Sequence, residues 1–162
     1  MVDQVLAPKW SPLGLLQRVR RLIEQPGDVV LLMRIGAFLC RVPADLDDAT
    51  LPELLDGLRA GRRPPAPDLA AGVRRIARLR QPWLRLAPLH QRNTCYMRAL
   101  TLYRFLDPGA RTLRIHFGVE PGATVHDRLR GHAWVSVDDE ILEPPEPVLA
   151  GRVREIYRHP PG

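Results

Sequence analysis

Two residues in this chain have the type and the surroundings that covalent chemistry needs. Cys95 follows Thr94, a hydroxyl side chain suited to cap a helix, so the thiol is expected in the first turn of that helix. Unpaired backbone N–H groups and the helix dipole gather there and favour a thiolate over a thiol. Arg92 and Arg98 add positive charge on either side. His132 opens a stretch of alternating residue types, with His132, Trp134, Ser136 and Asp138 on one face and Ala133, Val135 and Val137 on the other. A helix-start cysteine followed downstream by a strand-start histidine is an arrangement for nucleophilic catalysis, the histidine taking the thiol proton. Taken singly, each residue has a plainer reading: a cysteine on the inner face of a helix, and a histidine hydrogen-bonded at a strand end.

A third member is expected from the hairpin that follows. Asp138-Asp139 reads as a two-residue turn, which pairs Val137 with Glu140 and Trp134 with Glu143. Glu143 then falls on the His132 face, diagonally across the ladder, where Cβ atoms stand roughly 7–8 Å apart. A carboxylate there would hold the imidazole tautomer and steady the imidazolium. Glu146 is the alternative carboxylate, whereas Asp138 and Asp139 are turn formers. The backbone N–H of Cys95 is one oxyanion donor, and Gln91 or Asn93 is a candidate for the second, against a plainer role in capping the loop.

The elements that position these residues change character along the chain. Ser11-Pro12 begins a helix whose apolar residues, Leu15, Leu16, Val19, Leu22 and Ile23, recur at helical spacing until Pro26-Gly27 stops it. Asp28 is expected to cap the next helix, which is apolar nearly all round and therefore central to a helical layer. Thr50 and Glu53 fit a capping box, and Asp68 caps a further helix that Pro82 ends. Between them, Gly61 to Pro67 has the composition of a linker. From Cys95 the order becomes helix, strand (Thr112 to Val119), loop (Glu120 to Arg130) and hairpin, so the fold class is α+β.

Composition narrows the functional classes. The 162 residues suit one domain with a modest extension, and 45% hydrophobic content can build a core. The net charge of +6 is carried almost wholly by arginine, in a usage that suggests a GC-rich bacterial genome. Such charge suits an acidic partner, or simply solvated helix faces. No basic patch is interleaved with aromatics, so nucleic acid is not expected as a partner. Two cysteines are too few for a disulfide framework, and Cys40, within an apolar helix, reads as a small core residue. No apolar signal run follows Lys9-Trp10, so a reducing cytoplasm is the expectation. Val29 to Cys40 is broken by Arg34 and falls short of the ~20 residues of a membrane span. His126 and His132 lack cysteine or carboxylate at ligand spacing, so neither a metal nor another cofactor is expected.

Three segments in series resemble a known family. Cys95 to Leu106 (CYMRALTLYRFL), His116 to Val119 (HFGV) and His132 to Val137 (HAWVSV) resemble the transglutaminase-like domain of lasso-peptide maturation proteases. That family shows a Cys-led helix, a Gly-Val strand end and a His-Ala-Trp-Val strand in this order, and the helices from about Asp28 resemble the lead-in of its stand-alone members. The resemblance implies a helical region over residues 1–66 and a transglutaminase/papain-like domain over 67–162, its Cys-bearing helix packed on a small antiparallel sheet. It implies a cysteine protease that removes the leader from a ribosomally made precursor peptide. A separate recognition protein would present the leader, and a lasso cyclase would take the core. Cys95 is then the nucleophile and His132 the general base. The family's Asp follows the second hairpin strand, where this chain has Leu142-Glu143-Pro144-Pro145. Other acyl transfers on the same site (transglutaminase, deamidase or N-acyltransferase) remain open, as does a non-catalytic module that holds an acidic leader with its arginines.

Overall fold

A computed structural model describes residues 23–60, 68–86, 94–121 and 131–160. The order of elements is α1 (Asp28–Asp48), α2 (Leu51–Arg59), α3 (Leu69–Leu84), α4 (Cys95–Phe105), β1 (Leu113–Val119), β2 (Gly131–Val137), β3 (Glu140–Leu142), α5 (Glu146–Leu149) and β4 (Arg154–His159). The strands form one antiparallel sheet in the order β3-β2-β1-β4. Helices α1 to α4 share a single apolar core with one face of that sheet, joining Ile35 and Leu39, Leu55, Leu79, Leu100 and Tyr103 to Ile115, Val135 and Val137. The chain is thus α+β, a helical layer on a small antiparallel sheet.

Local chemistry sets several boundaries. Thr50 N donates to Glu53 Oε2 at 3.0 Å, completing the expected capping box. Asp68 Oδ1 accepts from Ala70 N at 2.9 Å, and Thr94 Oγ1 from Met97 N at 3.4 Å, so both caps fall where the sequence placed them. Asp138 and Asp139 have positive φ (48° and 69°), the left-handed pair a two-residue hairpin turn requires, and Val137 pairs with Glu140. The expected helix before Pro26 and the linker at 61–67 lie outside the described residues.

Helix α1 departs from expectation in two ways. It is not apolar-packed all round: Ile35, Gly36, Leu39 and Val42 are buried, while Val30, Met33 and Cys40 are exposed, so Cys40 is a surface thiol rather than a core residue. Asp28 does not cap the helix; Gly27 holds that position. The Asp28 carboxylate is wholly buried and accepts from the Glu24 and Gln25 N–H groups, from Arg75 Nε at 2.6 Å and from Arg78 Nη2 at 2.9 Å. It is therefore the fastener between α1 and α3. A second contact joins the same helices: Trp83 Nε1 donates to the Leu32 carbonyl at 2.8 Å, and its ring lies where a Cβ on Gly36 would sit, 2.4 Å from Cε2. Trp83 also explains why α3 runs past Pro82 to Leu84. The proline costs one backbone bond in the last turn, and the indole packing and its hydrogen bond offset that loss.

Strand β4 had no counterpart in the sequence reading. Its residues are mostly charged and exposed, because it is an edge strand, and charge on an edge discourages pairing with another chain. It joins β1 through a shift of register between Phe117 and Gly118. A Cβ on Gly118 would stand 2.5 Å from Val153 Cγ1 and 2.8 Å from the Arg154 carbonyl oxygen, so only glycine admits this approach. Among the described residues no helix is long and apolar enough to cross a membrane.

The Asp28 fastener makes a testable prediction. Burial alone pushes its carboxyl up, but the hydrogen bonds from Glu24, Arg75 and Gln25, together with the charge of Arg75, outweigh it and hold the carboxyl below its ordinary range. A carboxyl lowered by folding stabilises the fold at neutral pH and loses that contribution as pH falls through the folded-state value. Asp28→Asn should cost about 3 kcal/mol in urea unfolding at neutral pH. The difference from wild type should shrink progressively on acidification.

Candidate active site

Helix α4 delivers Cys95 to the start of β2. Thr94 caps the helix, Cys95 is its first residue, and the side chain is part-buried. The thiol donates to the Gly131 carbonyl oxygen at 3.7 Å, so its sulfur lies against the residue just before His132. This approach depends on Gly131: a Cβ there would stand 2.4 Å from the Tyr96 hydroxyl. Tyr96 in turn packs on Phe117, with centroids 5.7 Å apart, and fixes the first turn of α4 over the β1–β2 pair. Burial, and then the adjacent Cys95, push the Tyr96 phenol up, which favours its neutral form.

His132 is the second residue of β2 and sits opposite Gly118 on β1. Its Nε2 lies 2.8 Å from Glu120 Oε1, and both side chains are largely buried. The carboxylate on His132 is thus Glu120, which stands at the end of β1 where its sequence neighbourhood suggests the start of a loop. The signal was available in principle. The β1–β2 register makes Glu120 the diagonal neighbour of His132, but that register is invisible across the long connection from 121 to 130.

Glu143 is placed elsewhere. The hairpin register continues as expected, Val135 facing Leu142, but the strand ends there and Glu143 adopts a left-handed backbone (φ 45°). Its Oε2 accepts from Arg80 Nη2 at 2.9 Å, while Arg80 Nη1 donates to the Arg98 carbonyl at 3.1 Å. Arg80 is 4% exposed. Burial pulls its guanidinium down, and the Glu143 charge opposes that shift. Glu143 therefore ties the end of the hairpin to α3 and α4. Glu146 pairs with Arg152 at the surface, and Asp138 and Asp139 bond the Thr112 N–H and Arg114 around the turn. Gln91, Arg92 and Asn93 lie outside the described residues.

A cavity of about 320 Å³ opens beside the cysteine. One wall is an α4 stripe at helical spacing: Cys95, Arg98, Ala99 and Leu102. Ala133 to Val135 form a second wall, and Leu142 to Glu146 a third. The cavity is mixed in character, aliphatic along Ala99, Leu102, Ala133 and Leu142 and charged at Arg98, Glu143 and Glu146. Cys95 is among its lining residues and His132 is not.

A second polar string lies on the face of the sheet that carries His132. His116 Nε2 is 2.8 Å from Ser136 Oγ and its Nδ1 is 2.8 Å from Glu155 Oε2, in the sequence of contacts a serine hydrolase uses. Ser136 is 1% exposed and His116 is 6% exposed, so no substrate reaches the hydroxyl. The string instead cross-links β2, β1 and β4. The His116 ring also stacks on Trp134, at 5.4 Å and 3° between planes, which holds the strand that carries His132. Among the described residues no group of three or more His, Cys, Asp or Glu side chains is disposed to bind a metal.

Searches of curated proteins and of solved structures returned no significant match. The profile of the transglutaminase-like superfamily matches residues 38–158, from within α1 to within β4. The matched segment contains the Cys-led helix, the Gly-Val strand end and the His-Ala-Trp strand. With well over half its length matched, this chain belongs to the transglutaminase-like superfamily.

Proposed function

We propose that this protein is a cysteine peptidase that removes the leader from a ribosomally synthesised precursor peptide, in the manner of lasso-peptide maturation. One observation carries the catalytic part of the reading. The Cys95 thiol, at the start of a capped helix, rests against the residue preceding a histidine whose ring is held by a carboxylate. Family membership supports acyl chemistry at a cysteine. The narrower substrate class rests on the resemblance of the three segments around Cys95, His116 and His132 to lasso-peptide proteases.

The chemistry follows from the placement. His132 takes the Cys95 proton, and the sulfur attacks the scissile carbonyl to give a tetrahedral oxyanion. The Cys95 N–H, in the first turn of α4 where intrahelical partners are lacking, donates to that oxygen. The proton on His132 passes to the leaving amine, and the leader-side acyl group stays on sulfur. Water, deprotonated by His132, then releases the leader as a carboxylate. The cavity along α4 would receive the side chains next to the scissile bond. The core peptide would pass to a lasso cyclase.

Mass spectrometry of a candidate precursor tests this directly. Cys95→Ala should reduce cleavage by at least about 1,000-fold while leaving the circular dichroism spectrum unchanged. Cleavage by folded Cys95→Ala at the wild-type rate would refute the proposal, and transfer of the acyl group to an amine in place of water would redirect it to acyl transfer. A second expectation concerns a partner. The described sheet has its six-residue edge at β4, exposed and mostly charged, with Ile156 its exposed apolar residue, which is a poor clamp for a leader. A separately encoded leader-recognition protein should therefore raise cleavage at low precursor concentration by lowering the apparent KM, with kcat little changed. Full-rate cleavage by this chain alone would refute that dependence.

A further inference from the structure

We infer that Glu120 is the residue that positions His132, in place of a carboxylate from the hairpin; the inference rests on the Cys95–His132 reading above. The register supplies the geometry. Gly118 pairs with His132 and Val119 with Gly131, so Glu120 lies two residues beyond Gly118, diagonally across from the histidine. Gly118, directly opposite His132, adds no side chain of its own at that rung. The glutamate therefore reaches the ring, with Oε1 at 2.8 Å from Nε2.

The other carboxylates around the hairpin are paired elsewhere or, like Glu140 opposite Val137, stand at its far end. Glu143 holds the buried Arg80, Glu146 holds Arg152, and Asp138 and Asp139 sit in the turn at the far end of β2. Moving Glu143 to the histidine would strand Arg80, which is 4% exposed, without its counter-charge. Pro144 and Pro145, next along the chain, offer no carboxylate. Glu120 thus supplies from the neighbouring strand what the hairpin cannot.

The choice of nitrogen has a mechanistic consequence. A carboxylate on Nε2 fixes the proton there in the neutral ring and leaves Nδ1 as the basic nitrogen. Nδ1 is the ring atom nearer the main chain, and the thiol rests on the main chain at Gly131. When the Cys95 proton moves from Sγ to Nδ1, the imidazolium formed is paired with the Glu120 carboxylate, and no net charge is created. Glu120, at the end of β1, is the ionisable group bonded to His132, and Cys95, at the start of α4, reaches the adjacent Gly131.

The test uses iodoacetamide alkylation of Cys95 across pH, in a Cys40→Ser background so that one thiol reports. In the parent protein, alkylation should persist at mildly acidic pH. Glu120→Gln should lower the acidic rate about tenfold or more and leave the alkaline rate unchanged, because the attacking sulfur is then already ionised. Loss of structure alone would alter accessibility at every pH. Glu120→Asp, which keeps the charge, should restore part of the acidic rate and serves if Glu120→Gln does not fold. If His132→Ala lowers the acidic rate while neither Glu120 variant does, the inference is overturned and the Cys95–His132 reading stands. If Glu143→Gln lowers it in place of the Glu120 variants, the role returns to the hairpin and the inference is again overturned. If His132→Ala also has no effect, the underlying reading fails and takes the inference with it.

Discussion

Helix α4 meets strand β2 at Gly131, a residue with no side chain, and the closeness of that approach sets the surroundings of both Cys95 and His132. The Tyr96 hydroxyl occupies the space a Cβ would need, and the Cys95 thiol bonds the Gly131 carbonyl. A larger residue would lift the first turn of α4 off the sheet. The sulfur would then leave the strand that carries the histidine, and the cavity along α4 would change shape. Gly118, on the paired strand, acts in the same way: it admits Val153, Arg154 and the edge of Trp134 into the space that a side chain opposite His132 would fill. Two glycines thus let three strands and a helix converge within contact distance.

Charge is then distributed so that several buried groups are paired. Arg80 and Glu143 fasten the end of the hairpin to α3 and α4, Asp28 fastens α1 to α3, and His116 links Glu155 on β4 to Ser136 on β2. Each pair removes one freedom. The hairpin end is fixed against α4, the helical layer is fixed to itself, and β2 is fixed to β1 and β4. Removing one partner of a buried pair costs several times what a surface pair contributes. The superficial likeness of the His116 string to a serine-hydrolase relay shows why burial must be weighed with geometry: the distances suit chemistry, and the 1% exposure of Ser136 excludes it.

Much of this was legible in the sequence wherever the cause is local. Thr94, Asp68 and the Thr50–Glu53 box announced their helix starts, and Asp138-Asp139 announced the turn and its register, because caps and two-residue turns are encoded within a few residues. Cys95 and His132 were singled out by helix-start and strand-start positions. What the sequence hid is non-local. Glu143 was matched to His132 from a correct hairpin register, but the buried Arg80, some sixty residues earlier, claims its carboxylate. Glu120 was passed over because its proximity to His132 arises from β1–β2 pairing across a long connection. The edge strand β4 resembled a solvated tail because edges carry charge. Asp28 looked like a helix cap, and Cys40 like core, because a one-dimensional pattern does not say which face of α1 meets α3.

The central claim is that Cys95, served by His132, forms an acyl-enzyme. Reaction with p-nitrophenyl acetate followed by intact mass and peptide mapping tests it without knowledge of the natural substrate. The account predicts rapid acetylation of Cys95 ahead of the more exposed Cys40, slow loss of the acetyl group to water, and collapse of the Cys95 preference in His132→Ala. Acetylation of Cys40 in preference to Cys95, or a Cys95 rate indifferent to His132, would contradict it.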